Sequence, residues 1–146
     1  MRHRLKDKKL GRPMAQRRAL MSSLVCALIE QRQIRTTLQK AKCARSLAEK
    51  MVTLVRKAGV GDARAKICAW RSAMSILRRK NIVHSLFEQV VPACKDRTGG
   101  YTRIVKVDRR RSDGAEMVIL EWVNLPPLEK KTKQTNEQTE KTPEKK

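Results

Sequence analysis

The chain has 146 residues, with 35 Lys or Arg against 14 Asp or Glu, a formal net charge of +21 and a pI near 10.7. Hydrophobic residues make up 40%, too many for a wholly disordered polycation, and the length suits one domain rather than two. A domain this charged repels itself, and a polyanion relieves that repulsion while releasing its own counterions. Nucleic acid is therefore the leading partner, an anionic membrane surface the second, and a merely solvated basic surface the third.

Residues 1–12, MRHRLKDKKLGR, hold Arg2, Arg4, Lys6, Lys8, Lys9, Arg12 and His3 against a single Asp7. They cannot bury enough apolar surface to fold alone, which predicts a basic N-terminal arm that orders on a polyanion. Pro13 suits the first position of a helix. Met14, Leu20, Met21, Leu24, Val25, Leu28 and Ile29 then recur at helical spacing and predict a helix to about Gln31. Arg17 and Arg18 lie near its start, where the macrodipole disfavours cations and a phosphate backbone would compensate them.

Gln33 to Thr36 predicts a brief strand, and Thr36-x-x-Gln39 matches a capping box. Leu38, Ala41, Ala44, Ala48, Met51, Val55 and Ala58 follow as the buried stripe of the next helix. Arg56 and Lys57 complement its C-terminal dipole and Gly59 closes it. Lys40 and Lys42 oppose the dipole at the other end. With Thr36 and Thr37 they predict a phosphate-gripping corner, where backbone N–H groups already point at an anion.

Asp62 is the expected N-cap of a third helix whose apolar face is Ala63, Ile67, Trp70, Met74 and Leu77. Arg64, Arg71 and Arg78, seven apart, line one flank of that face, either as a solvated edge or as a phosphate-facing row. Asn81 can stop this helix and cap a fourth, which turns Val83, Leu86, Phe87 and Val90 inward and ends near Pro92. After the loop KDRTGG, Tyr101 to Arg109 and Ala115 to Val123 read as strands joined by an Asp113-Gly114 turn into an antiparallel hairpin. That hairpin carries Arg109, Arg110 and Arg111 at its tip, where three arginines have little structural purpose. From Asn124 onward six lysines and four glutamates leave a net of +2, so +19 of the +21 belongs to residues 1–123. The tail, residues 124–146, is Lys/Glu/Thr-rich and reads as disordered.

Catalytic chemistry is hard to assemble from this set. The histidines are His3 and His84, the ten acids before the tail are scattered, and no Walker or Rossmann glycine pattern occurs. Cys26, Cys43, Cys68 and Cys94 have no C-x-x-C spacing, which favours small semi-buried residues over a metal site or disulfide. No apolar run approaches the roughly 18 residues of a membrane span. The chain is thus read as a non-enzyme with no cofactor, metal, small-molecule substrate, membrane association or homo-oligomer. Aromatic residues are 3%, too few for a base-stacking platform. Basic groups spread over both termini, several helices and a hairpin suit folded RNA, read by shape and phosphate contacts. The alternative is a nucleoid-type or regulatory DNA-binding protein.

The segments MRHR at the start, KLGR at 9–12, RRAL at 17–20, IRTTLQKAK at 34–42, AEKMVTLVR at 48–56 and GGYTRI at 99–104 together resemble the bacterial large-subunit ribosomal protein L-seventeen family. The resemblance covers residues 1 to about 123. It implies an α+β, two-layer α/β domain of helix, strand, three helices and two strands, with a three-stranded mixed sheet; the residues alone give the same element order. It also implies a structural part in the large ribosomal subunit in the cytoplasm, bound to large-subunit ribosomal RNA near the polypeptide exit side and beside the small ribosomal protein L-thirty-two. Carried over by position, the RNA-facing residues are Arg2, His3, Arg4, Lys9, Arg12, Arg17, Thr36, Thr37, Lys40, Lys42, Tyr101 and Arg103. Charge and placement add Lys6, Lys8, Arg18, Arg109, Arg110 and Arg111. Pro13, Met14 and Gln16 depart from the small hydroxyl residues usual in the family after KLGR, which removes the expected hydroxyl cap there.

Overall fold

A computed structural model describes residues 8–59, 61–126 and 128. The expectations for Arg2, His3, Arg4 and Lys6 of the arm, and for the tail beyond Leu128, lie outside the described residues. Helix α1 spans Met14–Gln31, strand β1 Gln33–Thr37, helix α2 Leu38–Gly59, and helix α3 Ala63–Leu77. Helix α4 begins at Lys80–Ser85, continues through a π-helical turn at Leu86–Val90 and closes at Val91–Ala93. Strands β2, Thr102–Arg109, and β3, Glu116–Trp122, are the last of the described elements. This is the α+β class and the element order expected.

The sheet corrects one detail. Its order is β1-β3-β2 and both pairings are antiparallel. β1 and β2 do run in the same direction, but β3 lies between them, so among the described residues there is no parallel pair and the sheet is antiparallel rather than mixed. Ile34 and Thr36 stand opposite Leu120 and Val118, and Thr102 and Ile104 opposite Trp122 and Leu120. Strand alternation therefore turns Val118, Leu120 and Trp122 toward the helices. Trp122 anchors this side: it is 2% exposed, and its indole N–H donates to the Leu28 carbonyl of α1 at 3.0 Å.

α2 spans the underside of the sheet. Ala41, Ala44, Ala48, Met51, Val52, Val55 and Ala58 are buried, the expected stripe with Val52 added and Leu38 only half covered. The three alanines in succession let neighbouring backbones approach closely. α3 packs on α1, α2 and α4 rather than on the sheet. Its buried positions are Ala69, Ala73 and Leu77, while Ile67 is 54% exposed and Trp70 and Met74 are half covered. Leu77 is buried as predicted and Trp70 and Met74 pack against the core from its edge, while the centre of the inward face is shifted to Ala69 and Ala73. Small residues take the closest contact, and Trp70 packs laterally on the Phe87 ring, with centroids 5.2 Å apart.

Three helix ends also differ from expectation. Pro13 is the N-cap rather than the first helical residue: its ψ of 159° is extended, and its carbonyl accepts the Arg17 N–H at 2.9 Å. Among the described residues no side chain caps α1 there. Met14 is 58% exposed because buried residues of α1 begin only at Val25, so the first half of the helix reaches past the core. α3 ends at Leu77 with Arg78 in the left-handed conformation, and α4 starts at Lys80 with Arg79 as N-cap, so Asn81 lies inside a helix instead of between two. Asp62 does hold the N-cap of α3, with its backbone carbonyl, not its carboxylate, accepting from Ala65.

The π turn has a local cause. Pro92 has no N–H, and its ring would clash with the carbonyl four residues back in a regular helix. Widening the ladder so that the Val91 N–H reaches the Leu86 carbonyl makes room, and the helix runs one residue past the proline. Among the described residues no helix is long and apolar enough to cross a membrane.

Candidate RNA interface

β1 passes into α2 without a linker: Thr37 ends the strand and Leu38 begins the helix. This continuity overrides the expected capping box. Thr36 is still in the ladder, opposite Val118 and 8% exposed, so it is a strand residue and not the cap of a helix. The Gln39 amide oxygen instead accepts a hydrogen bond from the Lys8 ammonium. Thr37 is half-buried opposite Met117. Lys40, half-buried, and Lys42, exposed, lie in the first turns of α2, whose first turn holds no acid.

Three separate stretches of chain converge at this end of the sheet. Lys8 arrives from the arm through Gln39. The hairpin arrives through a cleft of about 190 Å³ lined by Leu38 of α2, Lys106 and Arg109 of β2, and Glu116 and Met117 of β3. Lys9 and Arg12 are exposed, Arg12 donating to the Leu10 carbonyl of its own turn at 3.0 Å. Arg17 and Arg18 lie on the protruding half of α1, half-buried and exposed respectively, and among the described residues no side-chain hydrogen bond ties them to this corner.

The hairpin arginines divide by role. Gly114, with φ +63°, takes the left-handed position of the turn, and its N–H reaches the Arg110 carbonyl at 2.9 Å. Arg110 grips both carboxylate oxygens of Asp113, Nε to Oδ1 at 2.8 Å, so it does have a structural purpose. Arg109 and Arg111 are exposed, without a side-chain ion pair among the described residues. The hydrogen bond from Arg110, then one from the Ala115 N–H, hold the Asp113 carboxyl at about 2, below its ordinary 3.8. The same pairing raises the Arg110 guanidinium. Because the folded pKa is lowered, the clasp is fully present above about 3.8 and lost as pH falls through about 2. A pH titration of the Asp113 carboxyl carbon by NMR should show a midpoint near 2, moving up toward the ordinary value in Arg110→Gln; a wild-type midpoint at the ordinary value would show the clasp open in solution.

Tyr101 requires a correction. It is 1% exposed, its hydroxyl accepts from Arg56 Nη1 at 3.1 Å and donates to the Thr98 carbonyl at 3.2 Å. A buried ring offers nothing to a nucleic acid. Beside it the buried Thr102 hydroxyl donates to Glu49 Oε1 at 3.1 Å, and Arg45 Nε donates to the same oxygen at 3.1 Å. Arg103 is tied across the ladder to Glu121. The AEKMVTLVR and GGYTRI segments thus hold each other: two motif stretches far apart in sequence form one hydrogen-bonded clamp between α2 and the start of β2.

The outer face of α2 reads as basic in the sequence, but Arg45, Lys50 and Lys57 were not among the residues expected to face RNA. Lys42, Arg45, Lys50 and Lys57 line a shallow groove of about 560 Å³ with Ser46, Glu49, Thr53 and Leu54. The signal was available: Lys42, Lys50 and Lys57 lie eight and seven apart, on the helix face opposite the alanine stripe. Burial raises the thiols of Cys26 and Cys94, keeping both protonated and inert. Among the described residues no three His, Cys, Asp or Glu side chains gather in one place.

These features define a small basic α+β protein in which Glu49, Asp113 and Glu121 are engaged in holding the fold, while cations from arm, helix and hairpin lie toward one end of the sheet. Comparison with known proteins supplies the family: the Ribosomal protein L17 profile matches residues 20–123. Relatives described as "Large ribosomal subunit protein bL17" include that of Clostridium acetobutylicum, 47% identical over 116 residues, covering 80% of this chain and 96% of the relative. Those of Clostridium botulinum strain Hall and Persephonella marina are each 46% identical, covering 80% and 88% of this chain and 96% and 100% of theirs. The chain belongs to the ribosomal protein L17 family.

Proposed function

We propose that this protein is a structural constituent of the large ribosomal subunit, binding large-subunit ribosomal RNA through phosphate contacts and taking no part in catalysis. The observation that carries this reading is the convergence of Lys8, Lys40, Lys106 and Arg109 on one end of the sheet, around a helix start with no acidic residue. The relatives' name supports the ribosomal setting. On this reading the domain of residues 13–123 bridges RNA segments near the polypeptide exit side, in the cytoplasm, with L-thirty-two among its protein neighbours. The arm, with Arg2, His3, Arg4 and Lys6, extends the phosphate contacts, and the tail is dispensable.

Salt tests this electrostatic reading. Each phosphate neutralised contributes roughly 0.7 to 0.9 to the slope of log K against log salt. Binding of the purified chain to large-subunit ribosomal RNA should therefore weaken with a slope of magnitude about 3 or more, as four or more phosphate contacts require. A slope near zero would rule out the phosphate contacts.

A further inference from the structure

We infer that the outer face of α3, with the corner that follows it, is a second RNA-backbone surface, separate from the one at the start of α2. This rests on the proposed RNA-binding function and names where a second RNA segment is held.

From Ala63 to Lys80 the chain carries six cations, Arg64, Lys66, Arg71, Arg78, Arg79 and Lys80, and no acid. All six are exposed, and among the described residues none has a side-chain ion pair. α3 packs against the other helices and not the sheet, so this row and the hairpin tip are carried by different layers of the fold. The shifted inward face of α3 matters here. With Ala69, Ala73 and Leu77 turned inward, Arg64, Arg71 and Arg78 stand on an outward line about 21 Å long, fourteen residues at ~1.5 Å each. Between them are short side chains: Ser72 and Ser75 fold back onto the helix carbonyls of Cys68 and Ser72, at 2.9 and 2.8 Å. The larger side chains bordering that line are Ile67, which is exposed, and Met74, which is half-buried.

The corner is held firmly. Arg78 has φ +60° in a C-cap position where glycine or asparagine is the low-cost choice. The preceding carbonyls are pinned from α1, Ile76 by the Ser22 hydroxyl at 2.8 Å and Leu77 by the Cys26 thiol at 3.6 Å. The chain keeps a long cation at a strained backbone position on a fixed corner, followed by two more cations. Arg32 has the same left-handed backbone at the end of α1, but its guanidinium has a partner in the Pro126 carbonyl and its own carbonyl is bonded by Trp122. Arg78 has none among the described residues, which leaves its charge for an external anion.

The test is a hydroxyl-radical footprint of the full chain on large-subunit ribosomal RNA. Wild type should protect two separate sets of nucleotides. Arg64→Gln/Arg71→Gln/Arg78→Gln should lose one set and keep the other, with the salt slope reduced by roughly 2 to 2.7. A second variant guards against misfolding: Arg78→Gly relieves the left-handed backbone, so it should raise Tm by roughly 2 to 4 °C while weakening RNA binding. Footprint and slope unchanged in the triple variant, with wild type still bound, would overturn the second surface and leave the proposed function standing. No wild-type footprint at all would overturn both. Loss of binding to an acidic protein neighbour instead of RNA would assign the row to a protein interface and also overturn the inference.

Discussion

Trp122→Ala should destabilise the protein by about 3–5 kcal/mol, the cost of emptying a large buried aromatic site. Trp122 is 2% exposed at the place where the sheet meets α1. It pairs with Thr102 across the hairpin, donates from its indole to the Leu28 carbonyl at 3.0 Å, and donates from its backbone to the Arg32 carbonyl at 3.3 Å. Its ring therefore joins β3, β2 and the last turns of α1, and α1 carries Arg17 and Arg18. Trp122→Phe should cost less, keeping much of the apolar contact and losing the indole hydrogen bond, worth about 1 kcal/mol. Urea unfolding of both variants separates packing from hydrogen bonding. A loss below about 1 kcal/mol for Trp122→Ala would mean the α1–sheet junction is held elsewhere.

The second large effect is on RNA. Lys40→Gln/Lys42→Gln/Arg109→Gln/Arg111→Gln removes four cations from the α2 start and the hairpin while leaving every clamp and ladder contact in place. If each meets one phosphate, each contributes roughly a five- to eightfold factor in affinity at 0.1 M salt, so the four together should weaken binding by about 10³-fold. Circular dichroism and Tm should remain those of wild type, since no buried side chain changes. Arg110→Gln is the contrasting variant: Arg110 is committed to Asp113, so its loss should loosen the turn more than it reduces the number of phosphates contacted. Equal losses of affinity from Arg110→Gln and from Arg109→Gln would contradict that division of roles.

Much of the fold is legible in the residues because local and tertiary signals agree. The alanine-rich stripe of α2, the Asp113-Gly114 turn and the helix limits at Gln31 and Gly59 all coincide with the structure. Reading fails where one signal is overridden by another. Ile67 looks like core by hydrophobicity but is exposed, because α3 turns Ala69 and Ala73 inward and close helix packing selects small side chains over large ones. Thr36-x-x-Gln39 looks like a cap, but the strand ladder claims Thr36 first. Sheet order cannot be read from periodicity at all, since alternation fixes which face is buried and says nothing of which strand lies in the middle.

The candidate site was less legible than the fold, for an electrostatic reason. Sequence shows that a charge exists but not whether it is spent. Arg103, Arg110 and Arg45 are engaged by Glu121, Asp113 and Glu49. Lys106 was passed over as a strand residue, yet it lines the cleft at the α2 start. Tyr101 belongs to a clamp that positions the loop before β2, so a motif residue can be specific to a family for folding rather than for contact.

The most direct measurement is sedimentation of a cell extract in moderate salt, with the protein followed across the gradient. Co-migration with the large ribosomal subunit, persisting when the DNA is digested and lost when the RNA is digested, is the expected result. Recovery chiefly on chromosomal DNA, or as free protein at the top of the gradient while large subunits are intact, would contradict the assignment.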